Sequence, residues 1–239
     1  MNRINETGKV DLKDKPLIQA FSGSGAIGTI VSTFLINSLK MEQVAVVHSE
    51  NIPPVAIIRN GIIEQPIRLF QSEKLALLTC EIPLTYGNIP NFIRMLVEYY
   101  IKNNVSHIVP VGGLPIIQDP ANSAECYAIS SNKEMLSFLE AKGVKILDEG
   151  IVYGTPVETL EICETDGFKS CFALLAECDP GVTSYYAARQ IIVELSKIFD
   201  FDFDEEQFDS VSSTIQRRIE ESTRMVREET LDKTRESHL

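Results

Sequence analysis

Three glycines carry the clearest chemical signal in this chain: Gly23, Gly25 and Gly28 form a complete G-x-G-x-x-G pattern. An apolar run at 17–21 precedes them and a helix-like run follows. Glycines at this spacing permit a tight turn and a close backbone approach to a pyrophosphate, and the next helix N-terminus offers N–H groups to the anion. A second apolar run ends near Glu50, where a ribose-binding acid would be expected. The pattern predicts a dinucleotide site, although a ligand-free strand-to-helix turn favours the same residues.

The segment after Glu50 does not continue a dinucleotide-binding fold. Pro53 and Pro54 fall where the second helix of such a fold would follow. Asn60-Gly61 then stands between two apolar runs, which is the strongest short-range signal of a β-hairpin because both residues tolerate positive φ. The sequence therefore predicts a hairpin insertion near 55–69 and disfavours a dehydrogenase that uses Glu50.

The chain is acidic: of its 239 residues, 34 are Asp or Glu and 22 are Lys or Arg, which gives a net charge of −12. A protein that binds nucleic acid needs a basic surface, so this class is disfavoured. No apolar run is long enough for a transmembrane helix, and residues 1–14 lack the apolar region of a signal peptide. We expect a cytoplasmic protein that binds neither nucleic acid nor membrane.

The cysteines and histidines indicate no catalytic or metal site. The cysteines are odd in number and form no C-x-x-C pair, which indicates buried free thiols in a reducing compartment. The histidines are scattered, so no spacing pairs a base with a thiol or assembles metal ligands. We predict no catalytic residue, no metal and no cofactor. The residues considered are Cys80, Cys126, Cys163, Cys171, Cys178, His48, His107 and His238.

Strand-like and helix-like segments alternate over most of the chain, which predicts an α/β fold. We expect a three-layer α/β/α sandwich with a mostly parallel sheet, the hairpin insertion and a C-terminal helical appendage. A strand at 107–111 is expected to end at Gly112-Gly113, and a short strand is expected at 151–153. A long helix is expected to begin at 179–181 and to end at Phe199.

Residues 201–239 are predicted to form a separate amphipathic helix and tail, after a flexible arm at 1–15 and one α/β/α domain at 16–200. Apolar residues recur there at spacings of three and four, which gives a narrow seam on a charged helix. Such a seam suits packing against a partner or a second subunit, and a terminal helix laid on its own domain would show the same pattern. The seam residues are Phe208, Val211, Ile215, Ile219 and Val226.

Four ordered segments resemble the proteasome assembly chaperone family, in particular its archaeal branch. The first is the glycine turn at 23–28 with the helix after it. The others are VGGLP at 111–115, the glycine-bracketed GIVYG at 150–154, and LLAE at 174–177 with the DPG that follows. Each segment is weakly specific alone, but their order and spacing match over residues 16–200.

The resemblance implies a nucleoside-phosphorylase-like α/β/α fold, and some archaeal relatives are labelled ATP-grasp-like. It also implies homo- or hetero-oligomers that help proteasome α subunits to assemble. The expected partners are a second copy of the chain, proteasome α subunits or a paralogous chaperone subunit. Members that dock on the proteasome often end in a hydrophobic residue, a tyrosine and any residue. The end of this chain, Ser237-His238-Leu239, departs from that pattern at its first two positions.

Two functions stay open on the sequence alone. The first is a non-catalytic, chaperone-like protein that acts on proteasome α-subunit assembly through oligomeric protein surfaces. The second is an enzyme that binds a nucleotide or nucleoside where the ends of parallel strands converge. Glu177 would then contact a ribose, or it would serve as a local cap or ion-pair partner. The pocket expected at this edge comprises Ser22, Gly23, Gly25, Gly28, Gly112, Gly113, Thr155 and Glu177.

Overall fold

The computed structural model describes residues 2–49, 55–82, 84, 89–116, 124–179 and 181–210, and the chain divides into two compact units at 1–203 and 204–239. The strands of the first unit are β1 Arg3–Glu6, β2 Pro16–Phe21, β3 Glu42–His48, β4 Ile57–Arg59, β5 Ile62–Glu64, β6 Ile67–Gln71, β7 Ala76–Cys80, β8 His107–Pro115, β9 Cys126–Ile129, β10 Lys145–Ile146 and β11 Ala173–Cys178. Its helices are α1 Ile27–Ser38, α2 Ile89–Lys102, α3 Lys133–Ala141, α4 Thr155–Thr165 and α5 Tyr185–Phe199.

One large mixed sheet organises the first unit, with the strand order β1-β3-β6-β7-β2-β8-β11-β9-β10. The central strands β7, β2, β8 and β11 are parallel to one another. Antiparallel pairs join β1, β3, β6 and β7 on one side, and β9 is antiparallel to β11 on the other. All residues of β2 are buried, as expected for a strand covered on both faces. The predicted α/β fold is confirmed, and its parallel part is the centre of the sheet.

Helices cover both faces of this sheet. α1 packs with α5, and α2 packs with α4. Successive residues of β2 point to opposite faces, and Leu17 belongs to the same buried cluster as Phe92 of α2 and Leu160 of α4. Ile18 points to the α1 face, where Ile30 and neighbouring apolar residues of α1 are also fully buried. The three-layer arrangement follows from burying both apolar faces of the central strands.

The predicted hairpin insertion is present as β4 and β5, which form their own two-stranded antiparallel sheet. Asn60 and Gly61 join the two strands with φ values of 51° and 78°, the left-handed values that a type I′ turn requires. Ile58, Ile62 and Ile63 are 62%, 67% and 67% exposed, so the hairpin has little apolar packing of its own. An isolated two-stranded hairpin is marginally stable in water. Contacts with the rest of the chain must therefore hold this hairpin in place.

Four charged residues attach the hairpin to the main sheet, and we call them the Arg–Glu cluster. Arg59 and Glu64 belong to the hairpin, Arg68 belongs to β6, and Glu81 follows β7. Each guanidinium pairs with both carboxylates, so the four side chains form a closed ring of ion pairs. The Arg68 and Glu81 side chains are only 8% and 14% exposed. The position of the hairpin therefore depends on a partly buried set of mutually paired charges.

Several segments differ from the expectation. Residues 3–6, inside the predicted flexible arm, form the edge strand β1 antiparallel to β3, and Leu12 is buried. Residues 151–153, expected as a short strand, have no regular secondary structure. β8 does not end at Gly112 but continues to Pro115, because β11 still pairs with it there. α5, expected to begin at 179–181, begins only at Tyr185, where the Ser184 side chain accepts a hydrogen bond from the Ala187 amide.

The described part of the second unit consists of residues 204–210. Residues 205–210 are helical, and the Asp204 carboxylate accepts a hydrogen bond from the Gln207 amide at 3.1 Å, which caps the helix start. Phe208 is buried. The remaining seam and tail residues lie outside the described residues, so the seam and the tail stay predictions: Val211, Ile215, Ile219, Val226, Ser237, His238 and Leu239.

Candidate functional site

A cavity of about 550 Å³ opens at the carboxyl ends of β2 and β8. The loop after β2 and the last residues of β8 form one wall, and the loop at 151–154 with the first turn of α4 forms another. The start of α2 completes the described lining. The volume is typical of a small-molecule or side-chain pocket. Strand ends of parallel sheets meet at one edge, which is why the sequence could place a pocket here.

Two of the three glycines in the G-x-G-x-x-G pattern are required by the close packing of the turn. Gly25 has a φ of +67°, and a Cβ there would lie 3.2 Å from the Cβ of Cys178. A Cβ on Gly28 would lie 2.1 Å from the Phe21 carbonyl oxygen, so α1 can only reach β2 this closely because residue 28 has no side chain. Neither residue lines the cavity. Their role is to bring a helix and a strand together.

Gly23 differs from the other two glycines. Its φ is −162°, which is ordinary extended backbone, and a Cβ there would meet nothing within 4 Å. It lines the cavity together with Ser22 and Ser24. The glycine turn therefore borders the cavity only through its first residues.

The first turn of α4 supplies the only described carboxylate of the lining, Glu158. The Glu158 amide donates to the carbonyl of Gly154 at 3.2 Å, and Pro156 has no N–H to offer. The Glu158 carboxylate also lies where the helix dipole is positive, so it offsets the attraction of this helix end for an anion. No Lys, Arg or His occurs among the described lining residues. The cavity thus suits an apolar or cationic group better than a phosphate.

A buried hydrogen-bond chain fixes the start of α4 over the sheet. The Gln19 side chain on β2 donates its Nε2 hydrogen to Thr159 Oγ1 at 2.8 Å, and the Thr159 hydroxyl donates to the carbonyl of Thr155 at 2.8 Å. Gln19 and Thr159 are 1% and 0% exposed. Gln19 Oε1 has no hydrogen-bond partner among the described residues, so the bond to Thr159 compensates the buried amide.

Thr159→Val is expected to lower the free energy of unfolding by about 1–3 kcal/mol, because it keeps the shape of the side chain and leaves the Gln19 amide unpaired in the core. Urea denaturation of the variant measures the loss. The double variant Gln19→Met with Thr159→Val should recover part of it, since both polar groups are then replaced by apolar ones. Purely additive losses in the double variant would contradict this explanation.

Glu177, expected in the pocket, lies outside its described lining. Its carboxylate accepts a hydrogen bond from the Glu125 amide at 3.2 Å, and the Glu177 amide donates to the Glu125 carbonyl at 2.9 Å. The Tyr127 hydroxyl donates to Glu125 Oε2 at 2.5 Å, and this bond, with burial and the Glu177 charge, raises the pKa of Tyr127 above its usual value. The Glu177 carboxylate thus forms a local hydrogen bond beside the β9–β11 pair, outside the described lining of the cavity.

The thiols and the described histidines form no reactive pair in the cavity lining. All five cysteines are free and buried, as expected, and burial raises the pKa of Cys80 to about 12 and that of Cys178 to about 11. His107 packs against the rings of Phe172 and Phe199, and burial lowers its pKa. Over the described residues, no group of three or more His, Cys, Asp or Glu side chains could hold a metal ion. None of the described helices is long and apolar enough to cross a membrane.

Of the pocket residues named from the sequence, the structure brings five to the cavity and leaves three outside it. Ser22, Gly23, Gly112, Gly113 and Thr155 line it, whereas Gly25, Gly28 and Glu177 do not. Glu158 and the two exposed apolar residues of the 151–154 loop, Ile151 and Tyr153, also line the cavity and were not predicted as pocket residues from the sequence. The sequence did indicate that the loop is important, because GIVYG at 150–154 is one of the four segments that resemble the family.

Residues 17–223 match the PAC2 family, and the chain belongs to this family. The similarity seen in four short segments thus extends over most of the chain. An uncharacterized protein of Methanocaldococcus jannaschii is 23% identical over 216 residues, which cover 90% of this chain and 88% of that protein.

Solved structures share the fold over nearly the whole chain. Two crystal structures of Pyrococcus furiosus PbaA, an archaeal homolog of proteasome-assembly chaperone, are similar to it. One has a TM-score of 0.80 and 25% identity, covering 94% of this chain and 100% of PbaA, and the other, a monoclinic form, has a TM-score of 0.79 and 23% identity, covering 99% of each chain. Pyrococcus furiosus PbaB, an archaeal proteasome activator, has a TM-score of 0.75 at 17% identity, covering 92% of this chain and 98% of PbaB.

Proposed function

We propose that this protein is a non-catalytic, chaperone-like factor that contacts proteasome α subunits during their assembly. The observation that carries the proposal is the family membership together with the likeness to PbaA over 94% or more of both chains. Such coverage means that the chain shares its fold, over nearly its whole length, with an archaeal homolog of proteasome-assembly chaperone. Homo-oligomer formation, implied by the resemblance, belongs to the same proposal.

The chemistry of the cavity supports a binding role over a catalytic one. Its described lining contains one carboxylate and several hydroxyl groups but no thiol, histidine or lysine. A serine or threonine nucleophile needs a neighbouring base to activate it, and the usual bases, histidine and lysine, do not occur in that lining. Glycine backbone and apolar side chains dominate the lining instead, for example Gly112, Leu114 and Ile151. Surfaces of this composition recognise another molecule by shape and apolar burial.

The test is co-expression of the full chain with the cognate proteasome α subunits, followed by size-exclusion chromatography with light scattering. We expect an additional species that contains both proteins, or a change in the distribution of α-subunit assemblies. An unrelated protein of similar size and net charge serves as the control for non-specific electrostatic effects. Identical elution of the α subunits with and without the chain would refute the proposal.

A nucleotide- or nucleoside-binding enzyme is the second candidate, and the cavity at the glycine turn is the observation that favours it. Ser22, Gly23 and Thr155 offer backbone and hydroxyl groups at the strand ends, where nucleotides bind in many α/β proteins. Thermal unfolding with ATP, adenosine or guanosine measures this directly, since a ligand at about 100 times its Kd adds about 2.7 kcal/mol of stability. An unchanged melting temperature at millimolar ligand would remove this candidate.

A further inference from the structure

β8 extends further along the sheet than its neighbour β2. The pairing of β2 with β8 ends at Ala20 and Val111, because the chain leaves the sheet at the glycine turn. The pairing of β8 with β11 continues to Pro115 and Cys178. Between Gly112 and Pro115 the β2 side of β8 therefore carries no strand from the described part of the chain. Ser24 of the glycine turn lies close to this stretch, with its carbonyl oxygen 3.0 Å from where a Cβ on Gly113 would be. All four residues of this stretch line the cavity.

The backbone of Gly113 points to this unpaired side. In a strand, the amide and carbonyl of one residue point to the same side and those of the next residue point to the other. Ile108 exchanges hydrogen bonds with Ser170 and Phe172, and the Ile116 amide donates to Cys178, so the even-numbered residues of β8 face β11. Gly113 and Pro115 must face the other way. Gly113 presents one donor and one acceptor there, and Pro115 presents one acceptor.

The side chains around this open strand edge complete a site for an extended peptide. Leu84 and Ile89 contribute apolar surface, and Ile151 and Tyr153 stand at the rim with 90% and 66% exposure. Exposed apolar side chains grouped at a pocket are typical of sites that bind a partner or ligand. Glu158 adds one negative charge to a described lining that has no basic residue.

We infer that the cavity binds an extended peptide segment that pairs with β8 at Gly113, places an apolar side chain between Ile89 and Tyr153, and directs a basic group toward Glu158. Addition of a strand to an open edge gives affinity through backbone hydrogen bonds, and the pocket gives specificity through side chains. The inference rests on the proposed function, since it names the chemistry of the partner segment that a chaperone of this fold would hold.

The test uses full-length protein and a short fluorescein-labelled peptide that alternates isoleucine and threonine between terminal lysines. Fluorescence anisotropy should show saturable binding. The same peptide with N-methyl groups on alternate amides keeps its side chains but loses backbone donors, so we expect affinity to fall by about tenfold or more. A peptide with glutamates in place of the lysines should bind about fivefold more weakly.

Variants of the protein test whether the peptide binds at this cavity. Gly23→Leu adds a large side chain at a residue that lines the cavity and where a Cβ would meet nothing within 4 Å, so it should reduce affinity by about tenfold. Glu158→Gln should remove the preference for the lysine peptide over the glutamate peptide. Glu161→Gln, an exposed residue one turn further along α4, is the matched control and should leave binding unchanged. Far-ultraviolet circular dichroism and the melting temperature verify that the variants are folded.

The outcomes separate this inference from the proposed function. Equal affinity for the N-methylated and unmodified peptides, or unchanged affinity in Gly23→Leu, would overturn the strand-addition site even if the chain still binds proteasome α subunits. Peptide binding with the expected losses would uphold the site even if co-expression with α subunits gives no complex. Saturable binding of the glutamate peptide with equal affinity would overturn the role of Glu158.

Discussion

Gly28→Ala is expected to lower the free energy of unfolding by about 3 kcal/mol or more, because the new Cβ has no room. The Phe21 carbonyl oxygen would lie 2.1 Å from it, and the Phe21 carbonyl carbon and amide nitrogen would lie 2.8 and 2.9 Å away. All three atoms belong to the backbone of β2, so the strain cannot be relieved by a side-chain rotation. α1 would have to move away from the centre of the sheet. The loss exceeds the gain of at most about 1 kcal/mol from replacing glycine by alanine in a helix.

The matched control is Gly23→Ala in the same G-x-G-x-x-G pattern. Gly23 has extended backbone and open space around its Cβ position, so this change should alter stability by no more than about 0.5 kcal/mol. Thermal and urea unfolding of both variants measure the contrast, and Gly28→Ala should melt about 6–12 °C lower. Equal melting temperatures for the two variants would show that the close helix–strand approach is not the reason for Gly28.

Glu81→Gln is expected to have the second largest effect, a loss of about 2–3 kcal/mol, since it leaves Arg68 with less compensation in a site where it is only 8% exposed. The Glu81 carboxylate pairs with both guanidiniums of the Arg–Glu cluster, so one substitution weakens two links of the ring. Because the cluster attaches the hairpin, we also expect faster hydrogen exchange for the amides of β4 and β5. Urea unfolding and exchange mass spectrometry measure the two effects.

Asp166→Asn is the control for Glu81→Gln. It removes the Arg94–Asp166 ion pair, in which the Arg94 side chain is 43% exposed, and such surface pairs contribute about 0–1 kcal/mol. Hairpin exchange should not change in this variant. If Glu81→Gln is no more destabilising than Asp166→Asn, or if the hairpin amides remain equally protected, the attachment of the hairpin does not depend on the cluster.

Local signals in the sequence were sufficient for the parts of the fold that short segments determine. Asn60-Gly61 predicted the hairpin because a type I′ turn needs two residues that accept positive φ. The apolar run before Gly23 predicted a buried central strand, and β2 is that strand. The glycine turn predicted a pocket edge, and its first residues do line the cavity.

Long-range pairing explains what the sequence could not predict. Residues 3–6 lack an apolar pattern, and only the antiparallel partner β3 makes them a strand. The length of β8 depends on β11, which is far along the chain, so the local sequence predicts a strand end at Gly112-Gly113 that the structure does not have. Glu158 is one of many acidic residues, and only the placement of α4 over the strand ends brings it to the cavity.

The margins of the large sheet, as the described residues form it, have a consequence for how this molecule associates with other chains. One margin is β1, whose Arg3 and Glu6 place charges on an edge, and the other is β10, which has only two residues. Both features discourage edge-to-edge growth of a sheet. The opening for strand addition proposed at Gly113 lies in the interior of the sheet rather than at either margin. The molecule can thus accept a single foreign strand at a defined place without becoming a template for aggregation.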